Sequence, residues 1–131
     1  DAPTNSVATG NGLANVLVGN GRNNVIRGLA GTDKLFGGAG NDTLDGGEGN
    51  DTVVGGGGAD SVNGNAGADS ITLTGNVAST RASVQVDLGG GADVLNLKAQ
   101  LSAATSIAIV NAGAIGAKIT VAGAISAGTQ A

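Results

Sequence analysis

The sequence predicts an all-β chain, wound as a two-sheet right-handed parallel solenoid (a flattened β-roll) that a further β segment continues or caps at its C-terminal end. Three observations carry that prediction. Glycine returns at every ninth residue from Gly10 to Gly64. An aliphatic residue holds the eighth position of each nine-residue unit. Large side chains are nearly missing, since 26 of the 131 residues are Gly, Phe36 is the one aromatic, and Cys, Met, Trp and Tyr are absent. A core of bulky side chains is out of reach for such a chain, and its glycines raise the entropy lost on folding. A strict repeat can still stack short strands around a thin core, given a second source of free energy.

Seven consecutive units begin at Gly10, Gly19, Gly28, Gly37, Gly46, Gly55 and Gly64. The last five read GLAGTDKLF, GGAGNDTLD, GGEGNDTVV, GGGGADSVN and GNAGADSIT. Positions one to six are rich in Gly, Asn and Asp, which tolerate left-handed backbone and make turns. Positions seven to nine place one aliphatic side chain between smaller or polar ones, so a three-residue strand points its middle residue inward. Those middle residues are Leu17, Ile26, Leu35, Leu44, Val53, Val62 and Ile71, and Leu95 joins them from a later segment. A turn after each strand winds two units, 18 residues, into one full coil, with the right-handed crossover that parallel strands favour.

The coil decides which turns touch. Position six is Asn15 and Asn24, then Asp33, Asp42, Asp51, Asp60 and Asp69. Units two apart stack, so Asp33, Asp51 and Asp69 form one column, and Asp42 and Asp60 the other. Stacked parallel strands lie about 4.8 Å apart, which crowds carboxylates of like charge. A hard dication between turns reverses the repulsion by taking carboxylate oxygens and turn carbonyls. Oxygen donors without His or Cys favour calcium over zinc. Magnesium is disfavoured because it demands a tight octahedron and keeps its waters.

With the unit Gly37-Gly38-Ala39-Gly40-Asn41-Asp42-Thr43-Leu44-Asp45, the chain resembles the RTX family of calcium-binding nonapeptide repeats, whose pattern is GGxGxDxUx with U a large aliphatic residue. The resemblance is closest from Gly28 to Thr72 and weaker from Gly10 to Arg27. It implies calcium held between stacked turns by Asp carboxylates and mostly backbone carbonyls. The implied ligands are Gly28, Ala30, Gly31 and Asp33; then Gly37, Ala39, Gly40 and Asp42; then Gly46, Glu48, Gly49 and Asp51. The next two turns offer Gly55, Gly57, Gly58 and Asp60, and Gly64, Ala66, Gly67 and Asp69. A later GGGAD string adds Gly90, Gly91 and Asp93. Pairing acids at adjacent levels gives about four calcium ions, within a range of about three to six.

The remaining segments follow in order. Residues 1–9 read as an N-terminal leader or linker, and 10–27 as degenerate repeats. Asn15 and Asn24 bring no charge, and Leu13 and Arg22 replace the position-four glycine. Those turns either complete sites with the Asp33 and Asp42 turns or cap the roll. Residues 28–72 are the core repeats. Residues 73–97 form a widened coil, because Asp93 lies 24 residues beyond Asp69. In it, 75–82 is expected to be a plain loop, and skipping one turn puts Asp93 on the side of Asp69. Residues 98–131 lose the acids and read as a metal-free β continuation or cap, with a short helix over 99–106 as the alternative for its start.

Composition narrows the function. A net charge of −4, from ten acidic and six basic residues, argues against nucleic-acid binding. No apolar run reaches membrane-spanning length. Histidine and cysteine are absent, and the carboxylates are committed to the columns, so catalysis is not expected. Asp45 and the side chain of Glu48 fall at variable positions and read as surface charges. Phe36, at position nine, is expected to point outward. The resemblance implies an exported structural module that folds on calcium outside the cell. The Ala, Thr, Ser, Asn and Gly bias is similar to bacterial surface-layer proteins, which implies partners in other copies of the parent or neighbouring domains. The alternative is the non-catalytic module of an enzyme, toxin or adhesin exported by type I secretion.

Overall fold

The computed structural model describes residues 5–73, 76–77, 83–97, 100–101, 106–110 and 118–121. Two six-stranded sheets face each other. The first runs β1 (Val7–Thr9), β3 (Val25–Ala30), β5 (Thr43–Glu48), β7 (Ser61–Ala66), β10 (Ser83–Asp87) and β13 (Ser106–Val110). The second runs β2 (Val16–Val18), β4 (Lys34–Ala39), β6 (Thr52–Gly57), β8 (Ser70–Leu73), β11 (Val94–Leu97) and β14 (Lys118–Val121). Neighbours within each sheet are parallel, and strands alternate between sheets along the chain. Every regular element among the described residues is a strand. The fold is the right-handed two-sheet solenoid that the nine-residue period predicts.

Register follows the period. Ile26 pairs with Leu44 and Leu44 with Val62 in the first sheet; Leu17 pairs with Leu35 and Leu35 with Val53 in the second. Each step is one coil, so residues at the same position of alternate units lie side by side. The full strands are longer than expected, six residues in place of three, and take in positions one to three of the following unit. Alternation explains the extension. Position eight points in, position nine out, and the position-one glycine in again, as in buried Leu35, half-buried Phe36 and buried Gly37. The ladder skips position one, passing from Phe36↔Val54 to Gly38↔Gly56.

The core is a single aliphatic file between the sheets. Ile26, Leu35, Leu44, Val53, Val62, Ile71, Leu73, Leu88 and Leu95 are buried in one cluster. Leu73 and Leu88 were not in the expected core. Leu17 is only partly buried against it, because β2 is the outermost strand of its sheet.

The ends differ from the counted units in three respects. Val7–Thr9, in the segment read as a leader, forms β1 and pairs with β3 through Val7↔Val25. In the widened coil, the expected plain loop contains β9 (Asn76–Val77), which pairs with β12 (Gln100–Leu101) in a small third sheet. The 24-residue coil is long enough to build this extra side. The same strand β12 stands where a helix over 99–106 was the alternative, and Ser106 already opens β13; 102–105 lie outside the described residues. Beyond them, β13 and β14 extend the two sheets by pairing with β10 and β11.

Candidate metal-binding turns

Six aspartates that close turns are buried: Asp33, Asp42, Asp51, Asp60, Asp69 and Asp93 are each at most 2% exposed. The strands carry them into two files. Asp33, Asp51, Asp69 and Asp93 precede β4, β6, β8 and β11, which are consecutive neighbours in one sheet. Asp42 and Asp60 precede β5 and β7 in the other. The widened coil restores the file, because Val94 pairs with Ser70 and Asp93 is thereby set beside Asp69.

Each carboxylate reaches back one coil. Asp51 Oδ1 accepts from the Asp33 backbone N–H at 2.8 Å, Asp69 from Asp51 at 2.9 Å, and Asp93 from Asp69 at 2.9 Å. Asp60 accepts from Asp42 at 3.0 Å, while Asp33 and Asp42 cap the N–H groups of Asn15 and Asn24 at 2.7 and 2.8 Å. The second oxygen is different. Oδ2 of Asp33, Asp42, Asp51, Asp69 and Asp93 is buried without a hydrogen-bond partner. A buried carboxylate oxygen left in that state is costly, and a cation is the partner that its charge calls for.

Burial weighs on these acids. It pushes the Asp60 and Asp69 carboxyls up to about 6. For Asp69 the charges of Asp51 and Asp93 add to burial, and the Asp51 N–H works the other way. Asp42 and Asp51 are raised too, mainly by burial. The files are therefore strained as anions in the absence of a counter-charge.

Backbone supplies the rest of the cradle. In the turns of Asp33, Asp42, Asp51, Asp60, Asp69 and Asp93, positions two and four of the unit both have positive φ: Leu29 and Gly31, Gly38 and Gly40, Gly47 and Gly49, Gly56 and Gly58, Asn65 and Gly67, Gly89 and Gly91. Position four allows no side chain. At Gly49, where φ is +120°, a Cβ would run into the Gly31 carbonyl of the coil before. At position one, a Cβ on Gly46 would lie 2.6 Å from Asp51 Oδ2, and one on Gly64 2.5 Å from Asp69 Oδ2. In the last turn Leu88 holds position one and enters the core, so that glycine is dispensable there.

The donor set fits calcium. The orphaned oxygens are carboxylate, the chain has no His or Cys, and the surrounding groups are peptide carbonyls. Among the described residues no three acidic, His or Cys side chains converge. A cation between two turns would therefore draw on one carboxylate from each level at most, and carbonyls would complete the oxygen shell that calcium accepts.

Several contributors escaped the sequence reading. Position-five asparagines stitch coils together, as Asn23 Oδ1 accepts from Asn41 N–H at 2.8 Å and Asn41 Oδ1 from Ala59 N–H at 2.9 Å. Asn50 does the same for Ala68. Asp45, read as a surface charge, is half-buried and accepts a hydrogen bond from Asn65 Nδ2. Their only sequence signal is that the same amide recurs at one position of the repeat. Glu48 is exposed.

The family model described as the RTX calcium-binding nonapeptide repeat (4 copies) matches the chain twice, over residues 9–44 and 45–75, together just over half its length. No curated protein and no solved structure matches it.

Proposed function

The chain belongs to the RTX calcium-binding nonapeptide-repeat family, and from that membership we propose that it is a structural module whose folding is coupled to calcium at the two aspartate files. The observation that carries the reading is the set of five buried Oδ2 atoms without partners. The ligands are the Asp33, Asp42, Asp51, Asp60, Asp69 and Asp93 carboxylates together with carbonyls of positions one, three and four of their turns. Calcium supplies positive charge between coils, while the chain's residues hold the oxygens in place. Where free calcium is submicromolar the files repel and the chain stays open. Extracellular modules bind at about 10⁻⁴ to 10⁻³ M, so calcium outside the cell turns binding free energy into folding free energy. That coupling suits a chain exported unfolded and folded at the cell surface. A surface-layer lattice is the setting we favour, because the composition is rich in Ala, Thr, Ser, Asn and Gly and has Phe36 as its one aromatic.

Small-angle X-ray scattering at neutral pH tests the coupling. The expected result is an expanded chain in chelator that contracts to an elongated particle on adding calcium and not magnesium. A compact particle in chelator would refute it.

A further inference from the structure

The turns come in two forms. In the aspartate turns, positions two and four of the unit take positive φ. In the two asparagine turns none of Asn11, Leu13, Asn20 and Arg22 does. Those turns are closed by their own side chains. Asn24 Oδ1 accepts from Asn20 N–H at 2.6 Å, and Asn24 Nδ2 donates to Asn20 Oδ1 at 2.9 Å and to the Arg22 carbonyl at 2.7 Å. Asn20 Oδ1 in turn accepts from Arg22 N–H at 2.9 Å. Asn15 repeats the pattern on Asn11, accepting at 2.7 Å and donating at 3.1 Å.

The chemical difference is one of donors. An amide carries two N–H groups and can satisfy the acceptors of its own turn, whereas a carboxylate carries none. Asn24 is 1% exposed with its polar atoms bonded, while Asp42, one coil later, keeps an orphaned Oδ2. In the Asn24 turn the position-four carbonyl is already occupied by Nδ2. Leu29 shows what selects the form. It is an ordinary side chain at position two, yet it adopts φ +82° in the turn that holds Gly31 and Asp33. Position two thus follows the pair at positions four and six.

We propose that the Asn15 and Asn24 turns are locked by their amides and take no calcium, so that units 10–27 form a metal-free cap on which the calcium-loaded coils stack. Positions four and six together decide which kind of turn forms: Gly with Asp makes a calcium turn, and a side chain with Asn makes an amide-locked one. The inference rests on calcium binding at the aspartate files.

Calcium stoichiometry of the full chain, measured by equilibrium dialysis at saturating calcium, tests it with two variants. Asn24→Ala removes the amide and should leave the number of bound ions unchanged. The double variant Arg22→Gly with Asn24→Asp should bind one more ion per chain. Loss of an ion in Asn24→Ala, or no gain in the double variant, would overturn the cap. If Asn24→Ala does not fold, the double variant decides alone, since its prediction is a gain. No calcium on the unaltered chain would instead overturn the calcium reading itself.

Discussion

The Asp51 carboxylate accepts from the Asp33 backbone N–H at 2.8 Å, and the Asp51 N–H donates to the Asp69 carboxylate at 2.9 Å. Asp51 is thus bonded to the coil on each side, and Asp69 is likewise bonded to Asp51 and Asp93. Asp33 is flanked by an asparagine turn on one side. Replacing Asp51 or Asp69 by Ala should therefore remove two calcium ions, and Asp33→Ala only one. Isothermal titration calorimetry on the three variants checks this. Equal losses from all three would mean that the files do not share ions.

Acid should substitute in part for calcium. Burial raises Asp60 and Asp69 to about 6 and raises Asp42 and Asp51 as well, against about 3.9 in an unfolded chain. A carboxyl with a raised folded pKa stabilises the fold in its protonated form. That stability is present in full below about pH 4 and is lost as pH rises through about 6. In chelator, lowering the pH from 7.5 to 4.5 should bring back part of the β signal by circular dichroism that is missing at pH 7.5. In calcium, the same change should weaken binding, because protons compete for the carboxylates. No gain of β signal in chelator on acidification would contradict the account.

Backbone conformation gives a pair of opposite predictions. Leu29 is 48% exposed with φ +82°, a conformation that costs a side chain about 1–2 kcal/mol, so Leu29→Gly should raise the melting temperature by a few degrees. Gly49→Ala meets both a positive φ and the Gly31 carbonyl, and should cost at least about 1–3 kcal/mol. Gly57→Ala is the control. Its φ is not positive and no atom lies within 4 Å of an added Cβ. Calorimetric melts in saturating calcium check all three.

The thin core should be intolerant of loss. Leu44 is 1% exposed and packs in the central file, so Leu44→Ala should cost about 2–5 kcal/mol. Val16, 66% exposed on β2, should tolerate Ala within about 0.5 kcal/mol. Urea unfolding in calcium distinguishes the two.

Much of this was legible because the period is strict. Nine residues per unit placed Leu35 beside Val53 and Asp33 beside Asp51, and a 24-residue step still brought Asp93 to Asp69. What stayed hidden depends on how side chains close on the backbone. Asn24 as a calcium ligand and Asn24 as a lock on Asn20 use the same amide, and the Arg22 that replaces the position-four glycine gains its meaning only beside the turn's backbone conformation. Strand length was underestimated because a glycine at position one looks like a turn residue. Gly37 is in fact a buried strand position whose missing side chain makes room for the Asp42 carboxylate. Leu73 and Leu88 fall outside position eight, at the inward-facing position one that glycine holds in the seven counted units.

The most direct test is a calcium titration of the full chain at pH 7.5, starting in chelator, followed by far-UV circular dichroism with magnesium in parallel. The account predicts a cooperative rise in β signal at about 10⁻⁴ to 10⁻³ M calcium and none with magnesium. Full β signal in chelator, unchanged by calcium, would show that the core and backbone ladders fold the roll alone and would contradict the claim that calcium does.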